Sequence, residues 1–268
     1  MNRTVLWIVA ALLFAGAGGG YYIWRQSNRA GPPPPPVAEE PAQPSTPVKK
    51  EPEIQHPIEQ AQVPASTEVK EKPLPELGQS DAAALSALSA GLGSVPGFVI
   101  PKDLIRRIAA TVDNLSRNKV AQQVLPVQPV SGRFVTSGQQ EDTAISTTNA
   151  ARYAGYVRAV EAIDADKLVA QYVRLYPLFQ QAYKELGYPS GYFNDRLVNT
   201  IDHLLAAPSV PPPVKLVSPK VLYEFADPEL EQRSAGQKLM IRIGPDNAER
   251  VKAKLREIRR AVTKKPPQ

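Results

Sequence analysis

Residues 172–208 read YVRLYPLFQQAYKELGYPSGYFNDRLVNTIDHLLAAP, and after a proline-broken segment residues 220–244 continue KVLYEFADPELEQRSAGQKLMIRIG. The folded part of the chain must be built about these stretches. They hold half of the aromatic residues and His203, the only histidine outside a proline-rich region. Tyr176-Pro177 falls within helical periodicity, and because proline removes a backbone donor and disfavours helix at the residue before it, a kink or break is expected there. Leu178–Leu186 resumes the helix, and Gly187 with Pro189 ends it. Asn194 or Asp195 then caps a helix that turns Leu197, Val198, Ile201, Leu204 and Leu205 inward. Asp227-Pro228 supplies a cap and a first-turn proline for the next helix, whose spacing continues through Ala235, Leu239 and Ile243. Val221–Phe225 could be a short strand; with no clear partner it is read as the approach to that helix.

Working outward, the spacing of apolar residues predicts helix almost throughout. Ser80-Asp81 starts a helix with Leu85, Leu88 and Leu92 on its stripe, and Pro101-Lys102-Asp103 starts a second with Leu104, Ile105, Ile108, Val112 and Leu115. Leu125–Val135 reads as extended and proline-limited, along the surface or as an edge strand. Thr147 or Thr148 opens a helix presenting Ala150, Tyr153, Val157 and Val160, and Asp164 opens another with Leu168, Tyr172 and Leu175. Gly244 and Pro245-Asp246 separate off the last helix, striped by Ala248, Val251, Leu255, Ile258 and Val262. The expected fold class is all-α, with seven or eight helices in a compact domain over residues 80–263 and a disordered tail at 264–268.

Ahead of that domain, after a flank of residues 1–3, Thr4–Trp24 carries no charge over TVLWIVAALLFAGAGGGYYIW. At about 1.5 Å per residue it can cross a hydrocarbon core of about 30 Å. Trp7 at one end and Tyr21, Tyr22 and Trp24 at the other suit the two interfaces. A cleaved signal peptide is the rival, since Ala15-Gly16-Ala17 resembles a cleavage site. The aromatic belt beyond those residues favours an uncleaved transmembrane anchor. Residues 25–79 read as a disordered spacer, whose stretch Gly31–Gly78, with five consecutive prolines at 32–36, reaches on the order of 150 Å if fully extended. A short amino-terminal flank before a long domain suits a signal anchor. The expected orientation is amino terminus inside and domain outside.

The chain has 268 residues, a net charge of +6 and no cysteine, which excludes disulfides, thiolate metal sites and a cysteine nucleophile. Residues 81–249 are neutral, with 17 basic against 17 acidic side chains, so the basic surplus of the domain lies after Glu249. No nucleic-acid fingerprint accompanies it, and a nucleic-acid partner is not expected.

At NDRLVNTIDHLLAAP (194–208), VLYEFADPELE (221–231) and SAGQKLMIRIGPDNAERVKAKLREIR (234–259), and earlier at IRRIAATVDNLSR (105–117) and YPLFQQAYKELGYP (176–189), the chain resembles an uncharacterised bacterial family, domain of unknown function 3014. The resemblance runs from about Asp81 to Val262, and the family's layout of one membrane helix and a low-complexity linker is matched as well. It implies a membrane-anchored protein of a Gram-negative type envelope, and with the expected orientation an inner-membrane location, amino terminus cytoplasmic and domain periplasmic. It implies no activity, and no catalytic residue is carried over.

Chemistry must therefore be sought in the residues. Asp195 and Asp202 lie two turns apart on one helix with His203 beside them, and could form a general base oriented by a carboxylate. The competing reading gives Asp195 a capping role, Arg196 an ion pair and His203 a bond to backbone. Asp195, Asp202, Glu224, Asp227 and Glu229 could supply the two carboxylates of a glycan hydrolase. Ser234 and Lys238 have the spacing of a Ser/Lys pair but no oxyanion loop. No cofactor or metal site is expected. Tyr183, Tyr188, Tyr192 and Phe193 read as core of a helical hairpin or as a partner patch. Arg250, Lys252, Lys254, Arg256, Arg259 and Arg260 on the last helix could meet anionic lipid or an acidic partner, or simply be solvated. The expected function is a non-enzymatic single-pass protein, attached to the bilayer by Thr4–Trp24, whose helical domain binds envelope proteins or the cell wall. The alternative is a hydrolase of envelope glycan or lipid using acidic residues of 194–229.

Overall fold

Asp164 accepts a hydrogen bond from the Lys167 backbone N–H at 3.0 Å, and the helix it caps becomes the axis of the molecule. The computed structural model describes residues 53–61, 73–219 and 221–263. The helices in order are α1 (Asp81–Leu92), α2 (Leu104–Leu115), α3 (Asn149–Arg152), α4 (Ala154–Glu161), α5 (Ala165–Glu185), α6 (Phe193–Leu205), α7 (Pro228–Glu231), α8 (Ala235–Arg242) and α9 (Pro245–Thr263). The domain is all-α. The described strand residues form two antiparallel ladders, β1 (Thr136–Ser137) with β2 (Ala144–Ile145) and β3 (Leu216–Val217) with β4 (Glu224–Phe225). None of the helices among the described residues is long and apolar enough to cross a membrane. The expected span Thr4–Trp24 lies outside the described residues.

α5 runs unbroken through Pro177 for 21 residues, where the sequence suggested a kink or break. The exposed ring of Pro177 lies on the solvent side, while its neighbours Leu175, Tyr176, Leu178 and Phe179 are buried. Their burial outweighs one missing backbone bond, since each large apolar side chain contributes about 1.5–3 kcal/mol. α1 and α2 pack along α5 on one side, and α6 and α9 complete the main core.

The inward face of α1 differs from the leucine stripe expected. Ala84, Ala87 and Gly91 are buried, whereas Leu85, Leu88 and Leu92 are only half-buried. The close approach to α5 is at the end of α1, where a Cβ on Gly91 would stand 3.2 Å from the Leu168 side chain. α2 is capped from outside itself. Asp103 makes no capping bond, and Asp81 of α1 accepts the Asp103 and Leu104 N–H groups at 3.0 and 2.9 Å.

The segment expected to lead into a helix at 221–225 instead provides β4. Phe225, Leu216, Val214 and Ile241 are buried together in a small satellite core, so the ladder exists because Phe225 has somewhere to go. Past the Asp227 cap, which accepts from Glu229 N–H at 2.8 Å, the helical spacing is cut in two. Ser234 leaves the helix, and its Oγ caps α8 by accepting Gln237 N–H at 3.2 Å.

Gly236 follows in the first turn of α8, where an added Cβ would lie 2.6 Å from Leu204 Cδ2 and 2.8 Å from the Leu115 carbonyl oxygen. Alanine is favoured over glycine in a helix by about 1 kcal/mol, but the contact with backbone cannot relax. We expect Gly236→Ala to be destabilising by roughly 1–3 kcal/mol, the range of an overpacked core. Urea unfolding measures this, and a raised midpoint would show that the helices are further apart than described.

Candidate functional site

Tyr192, the residue before α6, makes no side-chain cap. The orphan N–H groups of a helix start need partners, and α5 provides one. Gln180 Oε1 accepts Phe193 N–H at 2.9 Å and the Tyr176 hydroxyl at 2.9 Å, while its amide donates to the Gly191 carbonyl at 2.7 Å. Behind this corner Phe193 stacks on Phe179 with ring centroids 5.5 Å apart, and Tyr183 stacks on Tyr188 at 4.6 Å. The four aromatics of the turn, Tyr183, Tyr188, Tyr192 and Phe193, thus belong to the main core or pack against it.

The corner presents three polar side chains to a short extended segment, residues 53–61, which lies within the stretch that composition assigns to a spacer. Asp195 accepts the Gln55 N–H at 3.1 Å and the His56 N–H at 2.7 Å. Asn194, fully buried, donates to the His56 carbonyl at 2.9 Å and accepts from the Tyr172 hydroxyl at 3.1 Å. The Tyr192 hydroxyl accepts the Ile58 N–H at 2.8 Å. All four contacts on the segment are to main chain. Its side chains add Ile58 and Ala61, both buried in the main core. A composition poor in apolar residues still supplies two at the spacing that a single 3-10 turn, Ile58–Gln60, brings to one side.

Of the carboxylates singled out from sequence, Asp195 and Asp202 are engaged separately, Asp227 caps α7, and Glu224 and Glu229 are exposed. Asp195 holds the segment and is not a helix cap. Asp202 is bound by the Arg259 guanidinium, with Nη2 to Oδ2 at 2.9 Å and Nε to Oδ1. The bond holds the Arg259 pKa above its ordinary value. His203 Nε2 lies 2.7 Å from Ser234 Oγ, a contact with the form of a nucleophile and its base. Ser234 is buried and its oxygen caps α8, and the Gln237 amide donates to the His203 carbonyl at 3.0 Å. The pair is a clamp between α6 and α8. Lys238 turns to Glu231, 2.7 Å from Oε1, instead of to Ser234.

The basic helix is largely neutralised from within. Arg250 forms a two-pronged pair with Glu161. Lys252 is buried and donates to the Ala207 carbonyl at 2.8 Å, and Lys254 donates to the Ile163 carbonyl and to Glu257. Arg256 stands 3.8 Å from Glu249. Among the described residues Arg260 is exposed and makes no ion pair. Nor do these residues group three His, Asp or Glu side chains as a metal would need.

One cavity of about 260 Å³ opens between α1, α2, α5, α6 and α9, lined by apolar side chains such as Ala84, Ala87, Leu175, Phe179, Leu255 and Val262. A second hollow, between the start of α5 and the end of α9, is polar and lined by Asp164, Asp166, Lys254, Glu257 and Arg260. Sequence reasoning did not single out Asn194, Tyr192 and Gln180 for these contacts. The available signal was an asparagine at an inward position of α6, which a buried helix face does not carry without a partner.

Compared with known proteins, residues 104–259 match a family model described as a protein of unknown function, DUF3014. No curated protein and no solved structure matches the chain.

Burial first, and the charges of Arg196 and Arg233 second, lower the His203 pKa below its ordinary value. Unfolding returns it to about 6.5, so the unfolded chain binds a proton more readily. The corresponding stability is complete above about pH 6.5 and is lost as pH falls through the folded value. The stability of the wild type relative to His203→Gln is expected to decline between pH 7 and pH 5 in urea titrations. A difference independent of pH would contradict the neutral imidazole.

Proposed function

The chain belongs to the DUF3014 family of proteins of unknown function, and we propose that it is a non-enzymatic binding module for extended peptide segments of envelope proteins. Thr4–Trp24 would tether it to an inner membrane, with the helical domain on the periplasmic side. The observation that carries this reading is the α6 corner, which satisfies the backbone of residues 53–61 at four points with side chains of Tyr192, Asn194 and Asp195. Such contacts accept any sequence that can lie extended, while the buried position of Ile58 in the main core selects an apolar residue.

The energetics favour exchange. Two hydrogen bonds to a carboxylate and two to neutral groups contribute about 4–9 kcal/mol. Ordering the four backbone residues from Gln55 to Ile58 costs about 4–8 kcal/mol. Burial of Ile58 adds about 2 kcal/mol, so the attachment is weak unless tethered. Joined to the domain in one chain, the segment acts at an effective concentration in the mM range, and a partner segment that binds more tightly displaces it. A hydrolase with two convergent carboxylates is disfavoured by the separate engagements of Asp195 and Asp202.

A labelled peptide EIQHPIEQA, the sequence of 53–61, tests the reading in the full chain. It is expected to bind Ile58→Asp, whose own segment is released, at least tenfold more tightly than the wild type. Adding Asp195→Ala to that variant should reduce binding about tenfold. Equal binding to all three proteins would reject the site.

A further inference from the structure

We propose that the apolar cavity between α1, α5 and α9 is a binding site for one unbranched acyl chain. Its volume of about 260 Å³ exceeds the roughly 150 Å³ of an engineered apolar cavity that stays dry and takes up benzene. Water needs two or more polar partners to occupy such a space, and the lining offers almost none. The one phenol on the wall, Tyr172, gives its hydroxyl to Asn194, and Gln171 is the sole amide on the lining.

The shape favours a chain over a ring. Along α5 the wall is formed by Leu168, Tyr172, Leu175 and Phe179, positions that at 1.5 Å per residue extend over about 16 Å. The four lie in one row at i, i+4, i+7 and i+11, a track that an extended chain can follow along its length. At its rim Leu88, Leu168 and Leu255 are half-buried, which gives a chain a way in. Where α1 faces the void it presents the small Ala84 and Ala87, with Leu88 at the rim and Leu85 off the lining. A core packed for stability alone would have used the larger residues, since unfilled volume is destabilising. The polar hollow near the end of α9 does not point to an anionic head group, because carboxylates outnumber cations there.

The same chain chemistry could arrive as a free fatty acid or as the tail of a membrane lipid. The full-length protein, held in amphipol to avoid alkyl detergents, is heated with dodecanoate or with vesicles of a diacyl phosphatidylglycerol. A rise in melting temperature that saturates with dodecanoate identifies a free acyl chain, and a rise with vesicles alone identifies a lipid tail. Ala87→Leu, which fills the void, should melt no lower than the wild type and lose either response at least tenfold in midpoint concentration. An unchanged response in a folded Ala87→Leu protein, or no response of the wild type to either probe, overturns the proposal.

Discussion

The α6 helix cannot start itself, and the rest of the arrangement follows from how Gln180 starts it. A single side chain from α5 accepts Phe193 N–H, donates to the Gly191 carbonyl and receives the Tyr176 hydroxyl. That fixes both the angle at which α6 leaves the turn and the depth at which Phe193 meets Phe179. Tyr192, Asn194 and Asp195 then stand together at the start of α6, where each meets the main chain of residues 53–61. Acidic Asp195 sits there at low cost, because the helix N-terminus favours negative charge. The face that holds residues 53–61 is thus continuous with the core packing, into which Ile58 and Ala61 are themselves buried.

Charge is handled on the same principle. Asp113, buried in α2, faces Arg196 of α6, whose Nε stands 3.1 Å from Oδ1 as an ion-pair contact and not an aligned hydrogen bond, and Arg117, whose Nη2 is 2.6 Å from Oδ2. The neighbouring Tyr188 hydroxyl adds a bond at 3.3 Å. A lone buried carboxylate would be strongly unfavourable, and removal of either partner would expose that cost. On α9 most of the cations are likewise committed to Glu161, Asp202, Glu257 and backbone carbonyls. The basic surplus after Glu249 therefore describes how α9 is fastened to α4 and α6 more than what the protein attracts.

What could be read in the sequence was whatever depends on near neighbours in the chain. The caps at Asp164 and Asp227, the stop at Gly244 and the stripe of α9 are local, and they stand where spacing put them. What stayed hidden depends on distant residues. Asp81 caps α2 and Gln180 caps α6 across the core, so Asp103 and Asp195 looked like caps and are not. Pro177 read as a kink or a break, and the helix does not break there, because periodicity does not weigh burial on both sides of it. The ladder at Phe225 needed a partner strand that no pattern announced. Residues 53–61 looked like spacer because composition averages over Ile58 and Ala61, whose effect comes only from where α6 receives them. His203 and Ser234 are far apart in sequence, and their meeting had no signal at all.

The central claim is that Gln180, by capping α6, organises the face that holds residues 53–61. Hydrogen exchange of the Gln180→Met variant in the full chain tests it most directly, since methionine keeps the volume and removes the three polar contacts. Faster exchange is predicted together at the amides of Phe193, Gln55, His56 and Ile58, with the middle of α5 still protected. Retained protection at Gln55, His56 and Ile58 while Phe193 opens would show that the segment is held independently of the cap, and would contradict the account.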